Sequence, residues 1–379
     1  MVRRVIVTAL ALAAATLLIL SCPSPGGGTT TTTTTPTTQY FAYVANSFPG
    51  PGGDSVSAYS IGTSGALTQL TSLGSPFAAG SNPSGVAVSP NGSFLYVPNY
   101  ASANVSAYSI GSNGALTQLS GSPFTAGTQP LGAAVSPNGS SLYVANGGSG
   151  NVSAYSIGTS GALTAVSGSP FAAGSGPSAV AVSPNSSFLY VANGGGNVSA
   201  YSIGTSGALT AVTGSPFAAG GQPQGIAVSP NGSFLYVANM GDNTVSAYSI
   251  GTSGALTAVA GSPFAAGSVS SGVAVSPNSS FLYVANNGFP HGNISAYSIG
   301  SNGALTQLTD SPFAAGTHPL AVAVTPNGSF LYVTNMAGNN VSAYSIGSNG
   351  ALTQLTGLDS PFASGTNPAG VAIAAGTGP

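Results

Sequence analysis

Apolar residues along this chain come in short bursts of four to seven, separated by clusters of Gly, Ser, Asn and Pro. The clearest stretch runs Gly85-Val-Ala-Val-Ser-Pro-Asn-Gly-Ser-Phe-Leu-Tyr-Val97, then Asn104-Val-Ser-Ala-Tyr-Ser-Ile110, then Ala115-Leu-Thr-Gln-Leu119. Bursts of that length, rich in Val, Tyr, Phe, Leu and Ile and bounded by turn formers, predict β-strands. No segment beyond residue 39 carries apolar residues at helical spacing. Four strand segments follow one another and are here lettered A (Gly-Val-Ala-Val), B (Phe-Leu-Tyr-Val), C (Val-Ser-Ala-Tyr-Ser-Ile) and D (Ala-Leu-Thr-Gln-Leu). Ser-Pro-Asn-Gly joins A to B, because Pro pre-sets the first turn angle and Asn-Gly tolerates positive φ. Gly-Thr-Ser-Gly or Gly-Ser-Asn-Gly joins C to D.

The unit repeats. The Tyr of segment B recurs at 43, 96, 143, 190, 236, 283 and 332, at spacings of 46 to 53 residues, and the Tyr of segment C at 59, 108, 155, 201, 248, 297 and 344. A four-strand period of this length marks the blade of a β-propeller. The fold class expected is therefore all-β, a seven-bladed β-propeller of four-stranded antiparallel blades. Segment B of the first blade begins at Phe41, whereas the last segment A is Gly370-Val-Ala-Ile373. The C-terminal strand is thus expected to complete the N-terminal blade and close the ring. Closure matters because uncharged Phe-Leu-Tyr-Val edges aggregate when unpaired. Small residues in A suit the crowded centre of the ring. The seven Ser-Pro-Phe copies, at Phe77, Phe124, Phe171, Phe217, Phe264, Phe313 and Phe362, recur equally in every blade and read as packing elements. The Asn ending each segment B, such as Asn46 and Asn99, is expected to cap backbone groups as the chain turns.

Composition changes the picture in one respect, which is charge. The 379 residues include only two basic residues, Arg3 and Arg4, and four acids, Asp54, Asp242, Asp310 and Asp359. A repeat domain without Lys or Arg has no electrostatic footprint for nucleic acid and no cation with which to clamp phosphate.

The first 22 residues differ from the rest. Arg3 and Arg4 precede a largely apolar run from Val5 to Leu20, then Ser21 and Cys22. The run is shorter than the roughly 20 residues of a spanning helix and reads as an export signal. Ile19-Leu20-Ser21-Cys22 resembles a bacterial lipobox, which implies cleavage before Cys22 and lipidation of its sulfur. The domain division expected is 1–22 lipoprotein signal peptide, 23–38 Gly/Thr/Pro-rich linker and 39–379 propeller. Localisation on an outer membrane or cell surface, held by lipid alone, follows from that reading.

Tyr-Val-Ala-Asn in five copies, Leu-Tyr-Val-Thr-Asn at 331–335 and the recurrent Val-Ser-Ala-Tyr-Ser-Ile resemble the YVTN-type β-propellers of bacterial and archaeal surface proteins. With Gly-Ala-Leu-Thr and Val-Ser-Pro-Asn-Gly, they also resemble the seven-bladed lactonase (6-phosphogluconolactonase-like) propellers. The resemblance covers residues 39–375. It implies a shared scaffold more than a shared function.

Residues that depart from the repeat are the candidates for chemistry. Phe48, Asp54, Tyr100, Asp242, Phe289 and His291 fall between segments B and C, and Asp310, His318 and Asp359 between D and the next A. In antiparallel blades both kinds of connection are expected on one face, the top, where loops on a rigid scaffold carry binding residues. Aromatics beside Asn and Asp would suit a neutral glycan. The lactonase resemblance implies acid, His and Arg side chains in the top-face cleft, and the mature chain has no Arg or Glu to carry that pattern. His291, Asp310 and His318 are residue types that bind Zn²⁺, but a connection spanning a blade separates Asp310 from His318, so neither a metal site nor another cofactor is expected. The reading favoured by charge alone is a monomeric, non-catalytic binding or scaffold module for a glycan, peptide or envelope protein. The alternative is a divergent lactonase-like hydrolase.

Overall fold

The computed structural model describes residues 38–47, 54–288 and 292–376. Cys22, Phe48, Phe289 and His291 lie outside the described residues. Within the unit beginning at Thr38, the strands form seven separate antiparallel sheets, one per blade. In blade 4, for instance, A is Pro177–Val182, B is Phe188–Asn193, C is Asn197–Ile203 and D begins at Leu209–Ala211. Blade 1 is completed by the C-terminal strand Pro368–Ala375, which pairs with Tyr40–Asn46 in the register Tyr40 to Ala375 and Val44 to Val371. The expected seven-bladed ring and its closure are both present.

Both faces of a blade are covered, which explains why segment B reads as a continuous apolar run instead of an alternating one. Tyr190 and Ala192 of blade 4 pack with Leu235 and Val237 of blade 5. Leu189 and Val191, pointing the other way, pack with Tyr143 and Ala145 of blade 3. The core therefore consists of layers between blades. At the centre, Gly225 and Gly272 allow inner strands to meet, since a Cβ on Gly225 would stand 2.2 Å from the Ser271 carbonyl and one on Gly272 2.5 Å from that of Leu320.

The outer strand departs from the expectation of one continuous segment D. It is broken into two pieces, such as Leu67–Gln69 and Phe77–Ala78, which pair with opposite ends of the same segment C. Between the pieces lies the Ser-Pro pair, whose peptide bond is cis in all seven blades. The gap leaves a backbone N–H of segment C to be satisfied, and the serine hydroxyl accepts it. Ala58 N–H donates to Ser75 Oγ at 2.9 Å, and the same bond recurs through Ala343 and Ser360 in blade 7. The phenylalanine then packs between blades, as Phe217 does against Val198 and its neighbours. Ser-Pro-Phe is a packing element that also repairs the sheet edge.

Two sets of tyrosines tie each blade to its neighbours in opposite directions. Each segment-B tyrosine donates its hydroxyl to a glycine carbonyl in the C–D turn of the next blade, as Tyr43 to Gly114 at 3.0 Å and Tyr96 to Gly161 at 2.8 Å. Each segment-C tyrosine donates to the outer strand of the preceding blade, as Tyr59 to Ala363 at 2.7 Å and Tyr344 to Ala314 at 2.7 Å. Burial raises the pKa of all these phenols; that of Tyr344 is pushed up to about 12 by desolvation, against a smaller lowering by its bond with Ser342.

Candidate functional site

The inner strands enclose a central cavity of about 480 Å³, within the range of about 300–1,000 Å³ usual for small-molecule sites. Its wall is built from the second, third and fourth residues of six inner strands, and from Ser84, Gly85 and Val86 just ahead of the strand Ala87–Val88 in blade 2, mostly Gly, Ala, Val and Ser. The wall serines are already committed: Ser178 Oγ donates to the Pro223 carbonyl at 2.9 Å and Ser84 Oγ to that of Pro130 at 2.8 Å, each crossing to the next blade. At the top-face mouth the lining changes character, to Ser47, Asn82, Tyr100 and Met336. These residues come from the blade 7, 1 and 2 side of the ring. Gln224 from blade 5 adds a carboxamide to the wall.

The mouth is set by a backbone device repeated seven times. The residue just before six of the inner strands, and in blade 2 the residue before the isolated bridge of Pro83 with Asn99, lies in the left-handed region: Asn82 (φ 54°), Gln129 (φ 54°), Gly176 (φ 60°), Gln222 (φ 51°), Val269 (φ 58°), His318 (φ 55°) and Asn367 (φ 49°). Its carbonyl accepts the N–H of the residue that follows the segment-B asparagine, as Asn82 does from Tyr100 at 2.8 Å and His318 from Met336 at 2.8 Å. Positive φ at so many non-glycine residues carries a backbone cost, of a kind that clusters at functional sites. The geometry is constant around the ring while the side chains are not, so chemical individuality is concentrated here.

Several predicted site residues serve this frame. Asp54 Oδ1 accepts the N–H of Asn82 at 2.8 Å, and Asp242 Oδ2 accepts that of Gly221 at 2.6 Å. Other blades do the same with neutral groups: Asn339 Oδ1 accepts from Asn367 N–H at 2.9 Å and Ser149 Oγ from Thr128 N–H at 2.7 Å. Asp54 and Asp242 thus each have a carboxylate oxygen engaged by backbone. Tyr100 is half-buried in the mouth. His318 is half-buried at the rim, one residue from Pro319 and bonded through its carbonyl to Met336.

Asp310 and Asp359 are elsewhere, and their expected top-face position is corrected. Both occupy the break between the two outer-strand pieces, exposed on the outer rim of blades 6 and 7. Asp359, in the left-handed region at φ 65°, ends the short 3-10 turn Thr356–Leu358. The connection from D to A begins halfway up the blade edge, which the sequence pattern does not disclose. Asp310 is on the outer edge of blade 6 and His318 precedes the inner strand of blade 7, so the width of a blade lies between them, three strand spacings or about 14 Å at roughly 4.8 Å each. That breaks up the trio of His291, Asp310 and His318, and among the described residues no group of three His, Cys, Asp or Glu is arranged to hold a metal ion.

The segment-B asparagines also differ from expectation. Asn193 Nδ2 donates to Asn197 Oδ1 at 2.8 Å and to Ser199 Oγ at 2.9 Å, so it chiefly staples B to C through side chains, while its Oδ1 accepts Gly174 N–H at 3.2 Å. Sequence reasoning missed Asn82, Gln129, Gln222, Gln224 and Asn367. The signal that finds most of them is the one variable position before a Pro that recurs in six of the seven connections.

The structure is thus a closed seven-bladed propeller with a central cavity of small-molecule size. The chain belongs to the lactonase, 7-bladed beta-propeller family, whose model matches residues 30–366. This overturns the non-catalytic scaffold reading, which rested on charge alone. Solved structures similar to it include a putative 6-phosphogluconolactonase from Bacteroides uniformis ATCC 8492, with a TM-score of 0.76 and 20% identity, covering 89% of this chain and 100% of that one. A putative 6-phosphogluconolactonase from Bacteroides fragilis NCTC 9343 gives 0.73 and 23%, covering 90% and 99%. The periplasmic gluconolactonase of Pseudomonas aeruginosa gives 0.75 and 19%, covering 89% and 99%. At these identities the likeness establishes the fold. No curated protein matches the chain in sequence.

Proposed function

We propose that the protein is a lactonase-like hydrolase that opens the ring ester of a lactone at the mouth of the central cavity, with His318 as general base. The observation that carries this reading is the family match across residues 30–366, which spans nearly the whole propeller. Support comes from the mouth itself. His318 is an imidazole among the seven left-handed rim positions, and the next connection around the ring carries Asn367.

In this mechanism the imidazole of His318 takes a proton from water as the water oxygen attacks the lactone carbonyl carbon. The carbonyl π electrons move onto oxygen, and the carboxamide N–H groups of Asn367 and Asn82 are the donors at hand for that oxyanion. The electron pair then returns, the ring C–O bond breaks, and the imidazolium gives its proton to the departing alkoxide. Water is the only co-reactant, and the product is the open hydroxy acid. Base consumption by the lactone assay in a pH-stat tests the reading with the full chain: acid release well above the spontaneous rate supports it, and release at the spontaneous rate across a panel of five- and six-membered lactones rejects it.

A further inference from the structure

Resting on that reading, we infer that the substrate is an uncharged, polyhydroxylated lactone, recognised by an arc of carboxamides at Asn367 and Asn82 and by the apolar surfaces of Tyr100 and Met336, and that a phosphorylated lactone is disfavoured.

Four observations point the same way. First, the side chains of Asn82, Gln224, His318 and Asn367 make no hydrogen bond among the described residues, whereas the wall serines are occupied by neighbouring carbonyls. Asn82 and Gln224 line the cavity, and His318 and Asn367 are joined through their backbone carbonyls to its lining residues Met336 and Ser47, so the free groups in and beside it are amides and an imidazole, which pair with hydroxyl groups in both directions. Second, these groups are not spread evenly. His318, Asn367, Asn82 and Gln129 occupy four consecutive connections, 6–7 through 2–3, while on the other side Gln222 stands between Gly176 and Val269. Third, Tyr100 and Met336 line the mouth on this same side. An amphipathic aromatic next to amides suits a sugar ring, which has an apolar C–H face and a polar perimeter.

The fourth observation concerns charge. Arg3 and Arg4 are the only basic residues, and neither is in the propeller. A phosphate group is ordinarily held by charge-assisted bonds from Arg or Lys. Here the formal charge closest to the arc is negative: the Asp54 carboxylate, bonded to the backbone of Asn82 at 2.8 Å. A phosphate dianion would exchange its hydration for neutral amides beside a carboxylate.

The test compares glucono-1,5-lactone with its 6-phosphate on the full chain. The neutral lactone is expected to give a kcat/KM at least about tenfold higher, a modest margin for a missing charge-assisted clamp. Asn82→Ala should lower kcat/KM for the neutral lactone, with part of the loss in kcat because the same carboxamide is a donor to the oxyanion. Asn82→Lys should narrow the preference by supplying a cation. Equal or better use of the phosphorylated lactone overturns the inference. If neither compound is hydrolysed, binding is read by calorimetry with the non-hydrolysable gluconolactam and its 6-phosphate. Binding of the lactam alone sustains the recognition arc while rejecting the hydrolase; tighter binding of the phosphate, or of neither, rejects the arc.

Discussion

The hydroxyl of Tyr332 in blade 7 donates to the carbonyl of Gly65 in blade 1 at 2.8 Å, across 267 residues of sequence. It is the last in a cycle of seven such bonds, and it joins the first complete hairpin to the last. Tyr332→Phe keeps the buried ring and strands the Gly65 carbonyl. A loss of about 1–3 kcal/mol is expected from leaving a buried acceptor unsatisfied. Urea unfolding monitored by near-UV circular dichroism checks it, with a lowered midpoint and an unchanged slope as the expected result.

Truncation before Pro368 removes the strand that pairs with Tyr40–Asn46. Blade 1 then exposes an inner edge of uncharged apolar residues. The truncated protein should aggregate or lose its cooperative melt. A melt equal to that of the full chain would contradict ring closure by the C-terminal strand.

The buried tyrosines predict an alkaline limit. Their pKa values are raised by burial, Tyr344 to about 12, against about 10 in the unfolded chain. Below pH 10 phenols are neutral in both states and the stability is complete. Above it the unfolded state ionises first, so each such tyrosine removes about 1.4 kcal/mol per pH unit until its folded pKa is reached. With fourteen tyrosines raised in this way, unfolding should follow closely on pH 10. It should coincide with a single cooperative rise in tyrosinate absorbance. Fourteen independent titrations with the fold intact would be the contrary result.

Much of this architecture was legible because the repeat states it seven times. The tyrosine spacings give the blade count, and the displaced segment A at Gly370-Val-Ala-Ile373 gives the closure. What stayed hidden depends on where strands end. Leu-Thr-Gln and Phe-Ala look like one segment D and its tail, yet they are two edge pieces on one partner. That misplacement carried Asp310 and Asp359 from the outer rim to the top face. The mouth was hidden for a different reason. Asn82 and Asn367 have unremarkable side chains, and their role follows from a left-handed backbone before proline, which residue type alone does not announce. Tyr100 and His318 stand out in the sequence because aromatic and imidazole groups interrupt a monotonous repeat, and Tyr100 lines the cavity.

His318, whose carbonyl is bonded to the cavity-lining Met336, is proposed as the base of the hydrolysis. The direct measurement is kcat for glucono-1,5-lactone with the wild type and with His318→Gln, which retains a hydrogen-bonding side chain of similar reach but no imidazole base. Loss of a general base predicts a fall of about 10²–10⁴-fold in kcat, with the melting curve and KM nearly unchanged. An unchanged kcat in the folded variant would contradict the account.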